Sequence, residues 1–196
     1  MINRFGIAAM VLGVASSFAA NASNVVFADH FDSNTIGLNQ TPVGWTVTDG
    51  TVDIIGSGYF DFLPGNGKYI DLDGSTSNAG ILSTSLSLTA GLTYTAEFAL
   101  AGNQRNSSTE SVTVSFGNAS LIYSLPSSQT FTTYSLVFTP IASGNYSLSF
   151  SNAGGDNVGA LLDNVRVTAV PEPESLVLLL AGSLVVAGVA ARRRGR

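Results

Sequence analysis

The chain has 196 residues and a net charge of −5, with only 11% charged residues, so a basic nucleic-acid-binding face is excluded. It has no cysteine and one histidine, His30. That excludes a disulfide scaffold, a thiolate zinc site, a Cys nucleophile and a multi-histidine metal centre.

Residues 1–22 read as a secretory signal peptide. Arg4 supplies the positive start, residues 5–18 form an apolar stretch, and Ala20-Asn21-Ala22 gives a small-x-small cleavage pattern, which places the cut after Ala22. A signal helix is expected over this segment.

Residues 23–170 carry three basic and eleven acidic side chains, a net charge of −8. The stretch is rich in Ser, Thr, Asn and Gly and poor in helix formers. Alternation of apolar and polar residues predicts strands. In chain order they fall at 25–31, 45–48, 51–55, 69–72, 80–86, 93–100, 111–116, 121–124, 134–138, 146–150 and 160–168. Turn signals such as Gly102-Asn103, Gly117-Asn118 and Gly154-Gly155-Asp156 separate them. About eleven short strands with polar outer faces predict a single all-β domain, an antiparallel β-sandwich. Phe98, Val114, Leu136, Phe138, Leu148, Phe150 and Val165 are its expected core.

After Val170 come Pro171-Glu172-Pro173, an uncharged run over residues 176–191 and the cluster Arg192-Arg193-Arg194-Gly195-Arg196. Sixteen helical residues span about 24 Å, slightly short of a hydrocarbon core. Snorkelling arginines make up part of the difference and hold the C-terminus on the cytoplasmic side. A transmembrane helix is expected here.

These three parts, in this order and at the C-terminus, resemble the PEP-CTERM sorting signal of Gram-negative bacteria. The resemblance implies a precursor anchored in the inner membrane, recognition by an exosortase and cleavage near the Pro171-Glu172-Pro173 motif. It implies a cell-surface or secreted product in bacteria that make exopolysaccharide and biofilm. The sorting residues are then Pro171, Glu172, Pro173, Arg192, Arg193 and Arg194.

Within residues 23–170, Gly44-Trp45, Val52-Asp53-Ile54-Ile55, Ile70-Asp71-Leu72-Asp73-Gly74-Ser75, the run from Phe98 to Asn103 and Leu162-Asp163-Asn164-Val165 resemble bacterial surface proteins with a galactose-binding-like jelly roll of the choice-of-anchor type. Carbohydrate-binding modules are among such relatives, which implies contact with polysaccharide.

Counting alternate residues in the last strand puts Leu161, Asp163, Val165 and Val167 on one face, so Asp163 is expected to point where a core residue should. A buried carboxylate needs a cation or several donors. In jelly rolls of this type an acid in the final strand and one after the first strand's Phe often hold a structural Ca²⁺. Asp32, after Phe31, occupies the second place, where those relatives more often have Glu. Asp71 and Asp73 are expected to be strand-end acids facing solvent.

For sugar binding the chemistry asks for an aromatic face beside amide, acid or guanidinium groups. Tyr59, in a Gly-rich segment with Phe60, and Asn103 and Arg105, just after a strand, are the candidates. Trp45 is expected in the core. Catalytic residues are expected to be absent, because no Gly-x-Ser-x-Gly elbow occurs and no carboxylate pair stands out. The reading that follows is an exported, non-catalytic surface or matrix protein contacting exopolysaccharide. A structural glycosylated surface protein without a free ligand is the alternative, and a glycoside hydrolase the second.

Overall fold

A computed structural model describes residues 24–105 and 108–170. The signal segment 1–22, the Pro171-Glu172-Pro173 motif, the expected membrane helix 176–191 and Arg192 to Arg196 lie outside the described residues. The described residues contain no helix. Eleven strands follow one another: β1 Asn24–Asp29, β2 Thr46–Thr48, β3 Asp53–Gly56, β4 Lys68–Asp71, β5 Ile81–Leu88, β6 Thr93–Ala101, β7 Glu110–Phe116, β8 Ala119–Leu125, β9 Thr132–Phe138, β10 Gly144–Asn152 and β11 Leu161–Val170.

They form two antiparallel sheets. One runs β3-β4-β11-β6-β9, with β1 also on β11; the other runs β2-β5-β10-β7-β8. Strand β11 is the organiser of the first. Along one edge it pairs with β6 over nearly its whole length. The opposite edge is shared: Leu161 and Leu162 pair with β4, and residues 165–169 pair with β1.

The inner faces of the two sheets meet in one core, as expected for a jelly-roll sandwich. All seven expected core residues are buried in it. Trp45 is also there, with its ring 5.6 Å from Phe27 and Phe31 and 6.1 Å from Phe150. Phe98 meets Phe150 edge-on at 5.2 Å.

A bulge in β11 corrects the expected position of Asp163. Asp163 pairs with Ala99, but Arg166 pairs with Glu97, so one strand advances three residues while the other advances two. Asn164, at φ 52°, is the extra residue. It reverses the alternation, so Leu162, Val165 and Val167 share the inner face. Leu161, on the opposite face, joins Ile55, Tyr69 and Ala101 in a second, smaller cluster outside the sandwich. Asp163 lies on that outer side too, and it is buried by loops rather than by the core.

Candidate functional site

The outer cluster is covered by the segment between β3 and β4. That segment lays Phe62 and Leu63 over Ile55, Tyr69, Ala101 and Leu161. Its backbone is pinned at several points. Tyr59 and Gly56 exchange backbone hydrogen bonds at 2.7 and 2.9 Å. Leu63 N donates to Tyr69 Oη at 3.0 Å, and Tyr69 Oη donates to Asp61 at 3.1 Å. Burial pushes the Tyr69 hydroxyl up to about 12, so it stays a donor.

So held, the segment turns two rings outward. Tyr59 is 37% exposed and Phe60 54%, and they meet edge-on at 4.8 Å. Phe62 continues the row 6.4 Å from Phe60. The Arg105 guanidinium then lies over the Phe62 ring, 4.8 Å from its centroid. Beside this row opens a cleft of about 100 Å³, lined by Phe60, Phe62, Asp53, Asp71, Arg105 and Asn157 among others.

Asp71 is the electrostatic centre of the cleft. Its Oδ2 accepts Arg105 Nη2 at 2.6 Å, and its Oδ1 accepts the backbone N–H groups of Asp73 and Gly159, both at 3.1 Å. Burial outweighs the attraction of the Arg105 charge and pushes the Asp71 carboxyl up to about 7. Arg105 also donates to the carbonyls of Asn157 and Gly159. Asp53 accepts Asn39 N at 2.7 Å and the Ser75 hydroxyl at 2.7 Å.

Asn103 stands behind this surface. It is fully buried, donates to Glu110 at 2.7 Å, and accepts Arg105 N at 2.8 Å and the Ser127 hydroxyl at 3.1 Å. Its visible work is to shape the loop that aims Arg105 across to Asp71.

Asp71 and Asp73 do not face solvent, which corrects the expectation for them. Asp71 shares its face with Tyr69, and that face is roofed by the β3–β4 segment. Asp73 is fully buried, and neither of its carboxylate oxygens has a hydrogen-bond partner among the described residues. Burial, with the charges of Asp156 and Glu110, pushes it up to about 6. Strand alternation carried one signal for these residues, the shared face with Tyr69; the roof is a tertiary feature.

The fold brings Asp32 and Asp163 to a second, polar hollow of about 320 Å³, whose walls include His30, Asn66, Gly67 and Asn164. Strand pairing explains the meeting. β1 runs beside β11, so the turn after β1 lies against the β11 bulge. Asp29 anchors that turn, accepting Phe31 N at 2.8 Å and Trp45 Nε1 at 2.7 Å. Asp163 accepts Asn164 N at 2.7 Å and Asn164 Nδ2 at 3.0 Å. Burial, with the Asp32 and Asp29 charges adding to it, pushes Asp163 up to about 7. Asp32 accepts Lys68 N at 2.9 Å, while its carbonyl and that of Asn34 both accept the Lys68 ammonium at 2.7 Å.

The donors here are hard oxygens around a buried, under-compensated carboxylate, and that chemistry fits calcium. The side-chain set is small: no group of three or more Asp, Glu, His or Cys able to hold a metal forms among the described residues.

The fold is a jelly-roll β-sandwich, a fold that carbohydrate-binding modules also have. The structure is similar to the CBM22-1 xylan-binding domain of Paenibacillus barcinonensis Xyn10C, with a TM-score of 0.55 at 14% identity, covering 78% of this chain and 98% of that one. It is similar to the CBM22-1-CBM22-2 tandem of the same protein, with a TM-score of 0.53 at 17% identity over 80% of this chain and 48% of that one. It also resembles the CBM22-1-GH10 modules of Clostridium thermocellum Xyn10B, solved with xylohexaose, with a TM-score of 0.51 at 14% identity over 77% of this chain and 29% of that one.

By sequence the chain belongs to the family described as "Protein of unknown function (DUF642)", which matches residues 17–168. Residues 169–194 match the PEP-CTERM protein-sorting motif, so the chain carries an exosortase sorting signal after its β-domain. No curated protein matches it in sequence.

Proposed function

We propose that this is an exported, non-catalytic surface or matrix protein that contacts extracellular polysaccharide through the Tyr59–Phe60–Phe62 row and the Arg105 cleft. The observation that carries the reading is the row itself. Two aromatic rings stand exposed on a hydrogen-bonded segment that covers the sheet, next to a polar cleft. Aromatic faces suit the C–H surfaces of sugar rings, and polar groups at their side fix orientation. Relatives in fold that are described as xylan-binding, or were solved with xylohexaose, support a polysaccharide as the ligand class.

The state of the cleft acids supports a binding role over a hydrolytic one. Asp71 spends its oxygens on Arg105 and two backbone amides, and Asp53 spends its own on Ser75 and Asn39. A glycosidase needs one carboxyl to protonate the leaving group and another to attack or activate water.

The sorting motif supports the compartment: an inner-membrane precursor in a Gram-negative cell, cut by an exosortase and released to the surface. We propose that the Asp32–Asp163 hollow takes a structural calcium ion, with the two carboxylates as its side-chain ligands.

The test is a glycan array that includes the host's own exopolysaccharide, probed with the full-length chain in detergent. Binding in the micromolar to millimolar range, about −4 to −8 kcal/mol, is expected. Tyr59→Ala and Phe60→Ala should weaken it while the circular dichroism spectrum is kept, because both rings are exposed. Absence of binding to every glycan, or unchanged binding by both variants, overturns the reading. Cleavage of a bound glycan overturns its non-catalytic part.

A further inference from the structure

Strand β8 ends the five-stranded sheet, pairing with β7 on one side and with no strand among the described residues on the other. Natural sheets protect such edges with charge, proline, bulges or brevity, because the unpaired backbone groups accept another strand. The edges on the opposite side are brief: β2 has three residues and β3 four. β8 has seven residues, with no charge, no proline and a regular register against β7. The end strand of the other sheet, β9, is better covered. Tyr123 crosses from β8 and donates its hydroxyl to the Ser135 carbonyl at 3.3 Å, and its ring lies 4.7 Å from that of Tyr134.

The open edge is apolar where it meets water. Ile122 is 71% exposed and Leu121 50%. Val137 and Ile141 are exposed as well.

Two observations identify the occupant as a second copy of the chain. The first is charge. Residues 23–170 carry a net charge of −8, yet no Asp, Glu, Lys, Arg or His occurs from 111 to 155, which includes most of β7 and all of β8, β9 and β10. Like-charged copies therefore meet least repulsion on this side. The second is the order of residues in β8. Ser120-Leu121-Ile122-Tyr123-Ser124 is nearly symmetric about Ile122. In an antiparallel pair with its two-fold axis at Ile122, the two Ile122 side chains face each other. Each Ser120 then faces Ser124 of the other copy, and each Leu121 faces Tyr123. A two-fold interface requires such self-complementarity.

We propose that two copies of this protein associate edge to edge through β8, in antiparallel register about Ile122, joining their five-stranded sheets into one.

The chain has no cysteine, which makes the register directly testable. Full-length S120C and S124C variants in detergent are oxidised mildly, separately and as an equal mixture. A disulfide-linked dimer in the mixture, with only background in either variant alone, is expected. Adding Ile122→Lys to both should abolish the linked dimer and leave the circular dichroism spectrum unchanged, since Ile122 is on the surface. A mixture that links no more than its components, or a dimer that persists with Ile122→Lys, overturns the proposal. Light scattering that gives only a monomer for the unsubstituted chain overturns it as well.

Discussion

Arg105 and Asp71 form a 2.6 Å ion pair in which the acid is 2% exposed and the base 23%. Thirty-four residues apart in sequence, they tie the loop after β6 to the end of β4. Arg105 extends the tie to the loop before β11 through the carbonyls of Asn157 and Gly159. The candidate binding face is therefore held by the same contacts that hold these three loops together.

Arg105→Ala is expected to destabilise the domain by about 1–3 kcal/mol, because a buried acceptor loses its donor. The loss should be larger at pH 8 than at pH 5, since a protonated Asp71 needs no counter-charge. Urea denaturation at both values checks this, and a loss equal at the two pH values refutes the electrostatic account. Arg105→Ala is for the same reason a poor probe of ligand contact.

Stability should fall from pH 5 to pH 8. The Asp71 carboxyl is raised from 3.8 to about 7, in contact with Arg105 and near Asp53. Asp73 is raised from 3.8 to about 6, near Asp156 and Glu110. A carboxyl whose folded pKa exceeds its unfolded value holds its proton more tightly when folded. Its contribution is full below about pH 4 and is lost as pH rises through 6 to 7. The slope is at most about 1.4 kcal/mol per pH unit for each proton. Thermal unfolding across this range measures it, and Asp71→Asn should flatten the curve.

Calcium should raise the melting temperature and chelator lower it. A ligand at a hundred times its Kd stabilises the folded state by about 2.7 kcal/mol. Asp163→Asn should remove the response. So should Gly67→Ala: Gly67 sits at φ +73°, and a Cβ there would stand 2.2 Å from Asp32 Oδ1, displacing that carboxylate. A chelator response that survives both substitutions puts the ion elsewhere, and no response in the unsubstituted chain removes calcium.

The mature protein on its native surface should lack residues 1–22 and the chain beyond about Pro171. Intact-mass measurement reads this directly. A surface form that retains Arg192 to Arg196 is the result that refutes C-terminal release.

Alternation and turn signals located all eleven strands within a few residues and picked out core residues; which strand joins which sheet came only from the pairing. That information is local, because inward and outward positions alternate along every strand whatever the topology. The sorting motif was equally legible, as its three parts are contiguous in the chain. Asp163 shows where local reading ends. One extra residue at Asn164 reverses the alternation, and the bulge is defined only by pairing with β6. Asp163 was singled out by alternation and Asp32 by resemblance, but it is the β1–β11 pairing that brings them to one hollow. Asp71, Asp73 and Asn103 have the sequence surroundings of exposed polar residues. They are buried because the β3–β4 segment and the loops after β6 and before β11 fold over them, and burial by distant segments leaves no periodic trace in the chain.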